Sequence, residues 1–288
     1  MELKALAKIN LGLDVLGRRE NGYHDVRMVM QSIYLYDDVI IEKTDKPGID
    51  LKTNLYFLPV DNSNIAYKAA AMLMEEFNIK DGVSIVLNKH IPVAAGMAGG
   101  SSNAAAVLYG MNVLFNLGLT KKELMERGVK LGADVPYCIM RGTVLAEGIG
   151  EVLTTLPAMP KCNVLIAKPA ISVSTKEVYE ALDSKEVIEH PDIDGLIEGL
   201  ENADLHKIAA SMGNVLEDVT IPMHPVIEDI KNVMKEQGAL NAMMSGSGPT
   251  VFGIFESKAL AKKAQEKIRR DGLAKQVYVT NIHGARRN

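Results

Sequence analysis

Between Ile91 and Thr120 the chain runs about thirty residues without a charged side chain. As a helix that length would cross a bilayer, so this segment decides between a membrane span and a deeply buried element. Its content argues against the bilayer. Pro92, three of the five glycines, Ser101, Ser102 and Asn103 crowd the first half, and only the second half is evenly apolar. The pattern predicts a strand, a Gly-rich loop and a buried helix over Pro92 to Leu114. With 288 residues, 47% of them hydrophobic and 24% charged, the chain has core-forming material for one large or two fused folded units.

A formal net charge of -4 gives no general attraction to nucleic acid or anionic lipid, so neither is expected as a partner and any anionic ligand must be held locally. Cys138 and Cys162 form no disulfide framework and share no metal-ligand spacing, so reduced, buried thiols are expected. Lys4 and Lys8 interrupt any apolar leader at the N-terminus, which makes the cytoplasm the expected location.

Apolar alternation predicts a strand from Leu3 to Leu13, a turn region from Gly17 to Gly22, and a neighbouring strand from Met28 to Leu35. Asn64 is placed to cap a helix whose stripe is Ile65, Ala69, Leu73 and Phe77. Val83 to Leu87 reads as a strand. Thr120 and Glu123 have capping-box spacing, the helix they start should stop at Gly132, and Pro136 is expected to prevent further helix. From Pro157 to Lys161 the composition turns to proline and small residues, and a new strand begins at Cys162. The expected domains are therefore 1–157 and 158–288. Helical stripes through Val226 to Met234 and through Ala264 and Ile268, with strands at Leu240 to Met244 and Val251 to Phe255, complete a mixed α+β pattern.

Three segments can carry chemistry. Pro92 to Asn103 has the form of a phosphate cradle, because glycines allow close backbone approach and amides at a helix start point at an anion. A connector whose small residues permit close helix packing is the competing reading. Neither the P-loop nor the dinucleotide fingerprint fits, so positive charge must come from elsewhere. Lys8 and Asn10 share one face of an otherwise apolar strand, which marks a polar site or a solvated edge. Asp134 lies between a helix stop at Gly132 and Pro136, as a functional carboxylate or an ordinary turn residue. A fourth segment, Met244 to Thr250, could donate further amides or simply form a hairpin turn.

The segments occur in the order and form of the GHMP kinases, the superfamily that includes galactokinase, homoserine kinase and mevalonate kinase. The chain resembles them over nearly its whole length. Pro92 to Ser102 looks like a longer variant of the superfamily's phosphate loop, with Met97-Ala98 at its leucine-glycine pair, and Ala98 restricts the backbone where glycine would be free. Ala7-Lys-Ile-Asn-Leu11, Gly22-Tyr-His-Asp25, Gly99-Gly-Ser-Ser-Asn-Ala-Ala105, Gly132-Ala-Asp-Val-Pro-Tyr137, Val173 to Tyr179 and Ser245 to Phe252 resemble one branch in particular. Its acceptor alcohol carries a cytidine diphosphate on the non-mevalonate route to isoprenoid precursors.

That resemblance implies an N-terminal α+β domain like a ribosomal-protein domain and a C-terminal ferredoxin-like α/β sandwich. It implies Asp134 as general base with Lys8 as its partner. ATP would lie along Pro92, Gly96, Gly99, Gly100, Ser101, Ser102 and Asn103, with Asn64 and Lys89 lining the nucleotide side. Mg²⁺ would bridge phosphate oxygens with Ser102 as a candidate contact, and no carboxylate stands out as a dedicated metal ligand. The cytosine would stack between Tyr23 and Tyr179 with its polar edge read by His24, and Asn10 would place the acceptor end. The alternatives are a GHMP kinase for another small alcohol, such as homoserine or a sugar, and a non-catalytic nucleotide-binding regulator.

Overall fold

The structure, a computed structural model, describes residues 1–185 and 189–284. Two long strands, β1 (Glu2–Arg18) and β2 (His24–Thr44), organise the chain. In β1 burial is continuous from Ala5 through Val15, where a strand with one wet face would alternate. Both faces are covered, and the chain divides into two compact units that each take part of these strands. The first unit comprises Met1–Ala7, Leu35–Val93 and Ala98–Arg141, and the second comprises Lys8–Tyr34, Ala94–Met97 and the chain from Gly142 onward. This partition differs from a single cut between residues 157 and 158, because a strand that supplies two cores cannot be assigned by composition to one.

The first unit adds β3 (Ile49–Thr53), α1 (Ile65–Glu76), β4 (Gly82–Asn88), α2 (Gly99–Leu114), α3 (Lys121–Val129) and α4 (Val135–Met140). Its strands run in the order β3, β4, β2, β1. β3 is parallel to β4, with Ile49 opposite Val83, and β4 is antiparallel to β2, with Leu87 opposite Val39. Gly110 lets α2 lie on the sheet, since a Cβ there would meet Ile41 Cδ1 at 3.0 Å and Leu3 Cδ1 at 3.1 Å. The capping box at Thr120 forms as expected, its side chain accepting from Glu123 N. Pro136 departs from expectation, because it starts α4 instead of preventing helix. In the first helical turn its missing N–H has no carbonyl to serve.

The second unit adds β5 (Thr143–Glu147), β6 (Val152–Thr155), β7 (Asn163–Lys168), α5 (Thr175–Asp183), α6 (Ile193–Glu201), α7 (Leu205–Ser211), β8 (Gly213–Asn214), α8 (Glu217–Met223), α9 (Val226–Glu236), β9 (Asn241–Met244), β10 (Val251–Phe255), α10 (Lys258–Arg270) and β11 (Gln276–Asn281). β5 pairs with the start of β2, β6 pairs with β5, and β8 runs parallel to β1 with Asn214 opposite Leu13. A separate antiparallel sheet has the order β11, β7, β10, β9. Helices α9 and α10 pack on it, Met234 of α9 so closely that a Cβ on Gly253 would come within 2.9 Å of its sulfur. The architecture is the expected α+β fold, with an α/β sandwich in its C-terminal part.

The uncharged run resolves into a loop and α2, whose 16 residues rise only about 24 Å. Among the described residues no helix is long and apolar enough to cross a membrane. Both cysteines are buried and neither is joined in a disulfide, and burial pushes the Cys162 thiol up to about 12.

Candidate active site

In the first unit the start of α2 carries no side-chain cap. Its N-cap residue Ala98 sits in the left-handed region at φ 55° and offers no side-chain cap, so the leading amides have no capping oxygen. A left-handed alanine is strained, and such strain persists only where surrounding contacts fix it. The superfamily pattern places glycine here, where the same conformation is free. A Cβ on Gly99 would stand 3.1 Å from Ile91 Cγ2 and 3.4 Å from Lys89 Nζ, whereas Gly100 faces only Ile65 Cδ1 at 3.4 Å. Pro92 is buried at the head of the loop and Ser101 is half-buried. Ser102 is buried and its hydroxyl donates to Leu6 O at 2.7 Å, which fastens α2 to β1.

Below this helix start lies a carboxylate absent from the sequence reading. Asp37 is fully buried on the face of β2 that also carries Val39 and Ile41. One oxygen accepts the amides of His90 and Ile91 at 2.7 and 2.8 Å, and the other accepts Asn103 Nδ2 at 2.9 Å and pairs with Lys89 Nζ. Lys89 also donates to Asn103 Oδ1 at 2.7 Å. The network ties the end of the strand before the glycine-rich loop to the second turn of the helix after it. Lys89 and Asn103, expected beside the nucleotide, therefore face each other and Asp37. Asn64 is likewise engaged locally, capping α1 by accepting from Ala66 N at 2.9 Å and donating to Pro59 O at 2.8 Å. Asp134 occupies the N-cap position of α4 but makes no capping bond with its side chain, so the carboxylate is half-buried and not spent on the helix.

The second unit holds Lys8, Asn10 and the middle of the loop. Lys8 is only 5% exposed, which rules out the solvated edge, and its Nζ donates to Asn10 Oδ1 at 2.7 Å. The partner is neutral. An ammonium has two further protons to donate, so an anion can still be received there. The Lys8 amide donates to Met97 O at 3.2 Å, joining β1 to the loop. Gly96, at φ 67°, abuts the Ser245–Thr250 segment so tightly that a Cβ would lie 2.2 Å from Ser245 O. The lack of a side chain at Gly96 thus permits this close approach, and Ser245 Oγ adds a donation to Gly96 O at 3.0 Å.

At the start of β2, the His24 ring lies 4.7 Å from that of Tyr179 with a tilt of 41°. His24 Nε2 is 2.7 Å from Asp183 Oδ1, and Arg18 Nη1 approaches the other carboxylate oxygen at 3.4 Å. Tyr23 is 59% exposed on the adjoining turn, with its phenol ring available to stack. Lys8 and Asn10 are thus brought together, as are His24 and Tyr179. Asp37 and Asp183 were missed. A carboxylate at the period-two position of an apolar strand was the available signal for Asp37, while nothing local marks Asp183. Among the described residues no cluster of three His, Cys, Asp or Glu side chains suits a metal ion.

Known proteins resemble this chain over nearly its whole length. The models for the GHMP kinases N terminal domain and the GHMP kinases C terminal match residues 64–142 and 188–274. A 4-diphosphocytidyl-2-C-methyl-D-erythritol kinase of Lachnospira eligens is 59% identical over 97% of both chains, and one of Clostridium perfringens is 50% identical over the same shares. A solved 4-(cytidine 5'-diphospho)-2C-methyl-D-erythritol kinase superposes with a TM-score of 0.85 at 30% identity, covering 99% of this chain and 100% of the other. A homoserine kinase from Cytophaga hutchinsonii shares the fold, with a TM-score of 0.80 at 23% identity over 99% and 95%. With a phosphate-type loop, a buried lysine and an aromatic pair on this fold, the chain belongs to the GHMP kinase superfamily, within the group of the 4-diphosphocytidyl-2-C-methyl-D-erythritol kinases.

Proposed function

We propose that the chain transfers the γ-phosphoryl group of ATP to the 2-hydroxyl of 4-diphosphocytidyl-2-C-methyl-D-erythritol, a step of non-mevalonate isoprenoid precursor biosynthesis. The observation that carries the catalytic part is the buried Lys8 ammonium, satisfied on one side by Asn10 and left with donors for an anion. The substrate follows from the kinases named above, and the His24–Tyr179 ring pair supports it because a small aliphatic alcohol needs no stacking surface.

In this reading the amides leading α2 bind the ATP phosphates, and Lys89, Asp37 and Asn103 hold the loop that presents them. Asn64 fixes the start of α1 on the nucleotide side. Mg²⁺ bound with the ATP phosphates would neutralise their charge, with Ser102 as the chain's candidate contact. Asp134 orients the acceptor hydroxyl and takes its proton as the O–P bond forms, while Lys8 offsets the negative charge gathering at the acceptor. Because the transition state is loose, the proton leaves late. Tyr23 and Tyr179 sandwich the cytosine, His24 reads its polar edge, and Asn10 holds Lys8 in place.

ADP release with Mg-ATP, measured against the cytidylyl alcohol, homoserine, mevalonate and galactose, tests the assignment. Preference for the cytidylyl substrate is expected. Preference for another alcohol overturns the substrate, and no ADP with any acceptor overturns the kinase reading. Asp134→Asn should lower kcat by about 10²–10⁴-fold with a much smaller change in KM. Equal changes in both would remove Asp134 from the chemistry.

A further inference from the structure

The segment Ser245–Thr250 contains two glycines at positive φ, Gly246 at 60° and Gly248 at 92°, a conformation that costs glycine little but leaves the loop many alternatives. Its own bonds are few. Ser245 N donates to Thr250 O at 2.8 Å and Gly248 N to Ser245 O at 3.1 Å. Its position is set from outside, by side chains of one short stretch together with Thr175, whose Oγ1 lies 2.8 Å from Ser247 Oγ. Asn214 is buried, and its Nδ2 donates to Met244 O at 2.9 Å and to Gly246 O at 2.8 Å, while its Oδ1 accepts from Leu216 N at 3.0 Å. Both ends of the amide are used. Three residues on, Glu217 Oε1 accepts from Met244 N at 2.7 Å. Its other oxygen accepts from Lys231 Nζ at 2.8 Å, and Lys231 also reaches Glu228 at 3.2 Å. The entry to the loop is therefore held by donation to two carbonyls and acceptance from one amide.

The anchors are registered to the strand that carries Lys8 and Asn10. Asn214 lies opposite Leu13 in the β8–β1 ladder, and Val215 N donates to Leu13 O at 3.0 Å. On its far side the loop grips Gly96, through Ser245 Oγ and the close approach of Ser245 O. We propose that Asn214 and Glu217 are positioning residues for phosphoryl transfer: they fix Ser245–Thr250 so that it holds the Gly96 stretch of the phosphate loop in register with Lys8. The proposal rests on the phosphate-loop reading above. Neither side chain touches the reacting atoms, so their effect must travel through the loop.

Hydrogen exchange and kinetics on the full chain separate this proposal from the reading beneath it. Asn214→Asp is isosteric but places carboxylate oxygens against the carbonyls of Met244 and Gly246. Its amides should exchange faster in residues 245–250 and also in residues 95–99. Ser245→Ala, which removes only the bond to Gly96, should deprotect residues 95–99 alone. Exchange that rises at 245–250 in Asn214→Asp and stays at the wild-type rate at 95–99 overturns the proposal, whatever the activity. In the ADP-release assay, kcat per folded molecule should fall about 10²-fold for Asn214→Asp, the size expected of ångström-scale misplacement. KM for the cytidylyl acceptor should change far less. Glu217→Gln keeps the acceptor for Met244 N and should retain kcat, whereas Glu217→Leu should behave like Asn214→Asp. Equal kcat in the glutamine and leucine variants, or loss only of folded fraction, would make these residues merely structural. A wild-type protein that forms no ADP would overturn the kinase reading, and the exchange result would still decide whether Asn214 positions Gly96.

Discussion

Replacing Asp37 by asparagine tests whether the buried network under α2 fixes the phosphate loop. The carboxylate accepts four donors: the amides of His90 and Ile91 on one oxygen, and Asn103 Nδ2 and Lys89 Nζ on the other. Asparagine keeps one oxygen and turns the other position into a donor. If the oxygen stays on the two amides, the new NH₂ group confronts the Lys89 ammonium and Asn103. If the group flips, two backbone amides lose their acceptor. In both cases Lys89, 8% exposed, is left without a carboxylate partner. Removing one partner of a buried pair costs about 3–5 kcal/mol, a large share of the roughly 5–15 kcal/mol that stabilises a folded protein. At about 2–4 °C per kcal/mol, Tm should fall by roughly 6–20 °C. Urea denaturation followed by circular dichroism at neutral pH measures the loss. A loss below about 1 kcal/mol would mean that Lys89 is solvated or re-paired in the variant, and the account of the network would be wrong.

Two further predictions concern stability alone. Arg127 bonds the Glu76 carboxylate between α3 and α1, and that hydrogen bond holds the Glu76 carboxyl below the usual carboxylate range. A lowered folded-state pKa contributes stability that is present above the unfolded value and lost as pH falls through the folded one. Because the pair is partly exposed, Glu76→Gln should cost at most about 1 kcal/mol at pH 7, and that difference should vanish in acid; a constant difference at all pH values would refute the ion-pair account. The Thr220 hydroxyl is buried without a partner among the described residues, so Thr220→Val should raise stability by about 1 kcal/mol in thermal melts. A destabilised valine variant would show that the hydroxyl is satisfied after all.

The fate of particular residues shows what local sequence can settle. Periodicity located α1 and the capping box at Thr120, because caps and stripes are interactions between residues three or four apart. The Gly-rich run before α2 was legible for the same reason, as was the Lys8–Asn10 pair, whose side chains lie two residues apart on one strand face. Pro136 was misread because proline acts differently in the first turn of a helix than inside one, and only the neighbouring geometry says which applies. Asp37 with Lys89, Asp183 with His24, and Asn214 with Met244 join residues 52, 159 and 30 positions apart. Their partners are chosen by which segments the sheet brings alongside one another. The sequence by itself determined the segments and the superfamily they spell. Tertiary structure decided which buried charges are neutralised, which glycine packs against a distant loop, and which segment bonds to Gly96, since each depends on burial and distance between segments that no local pattern encodes.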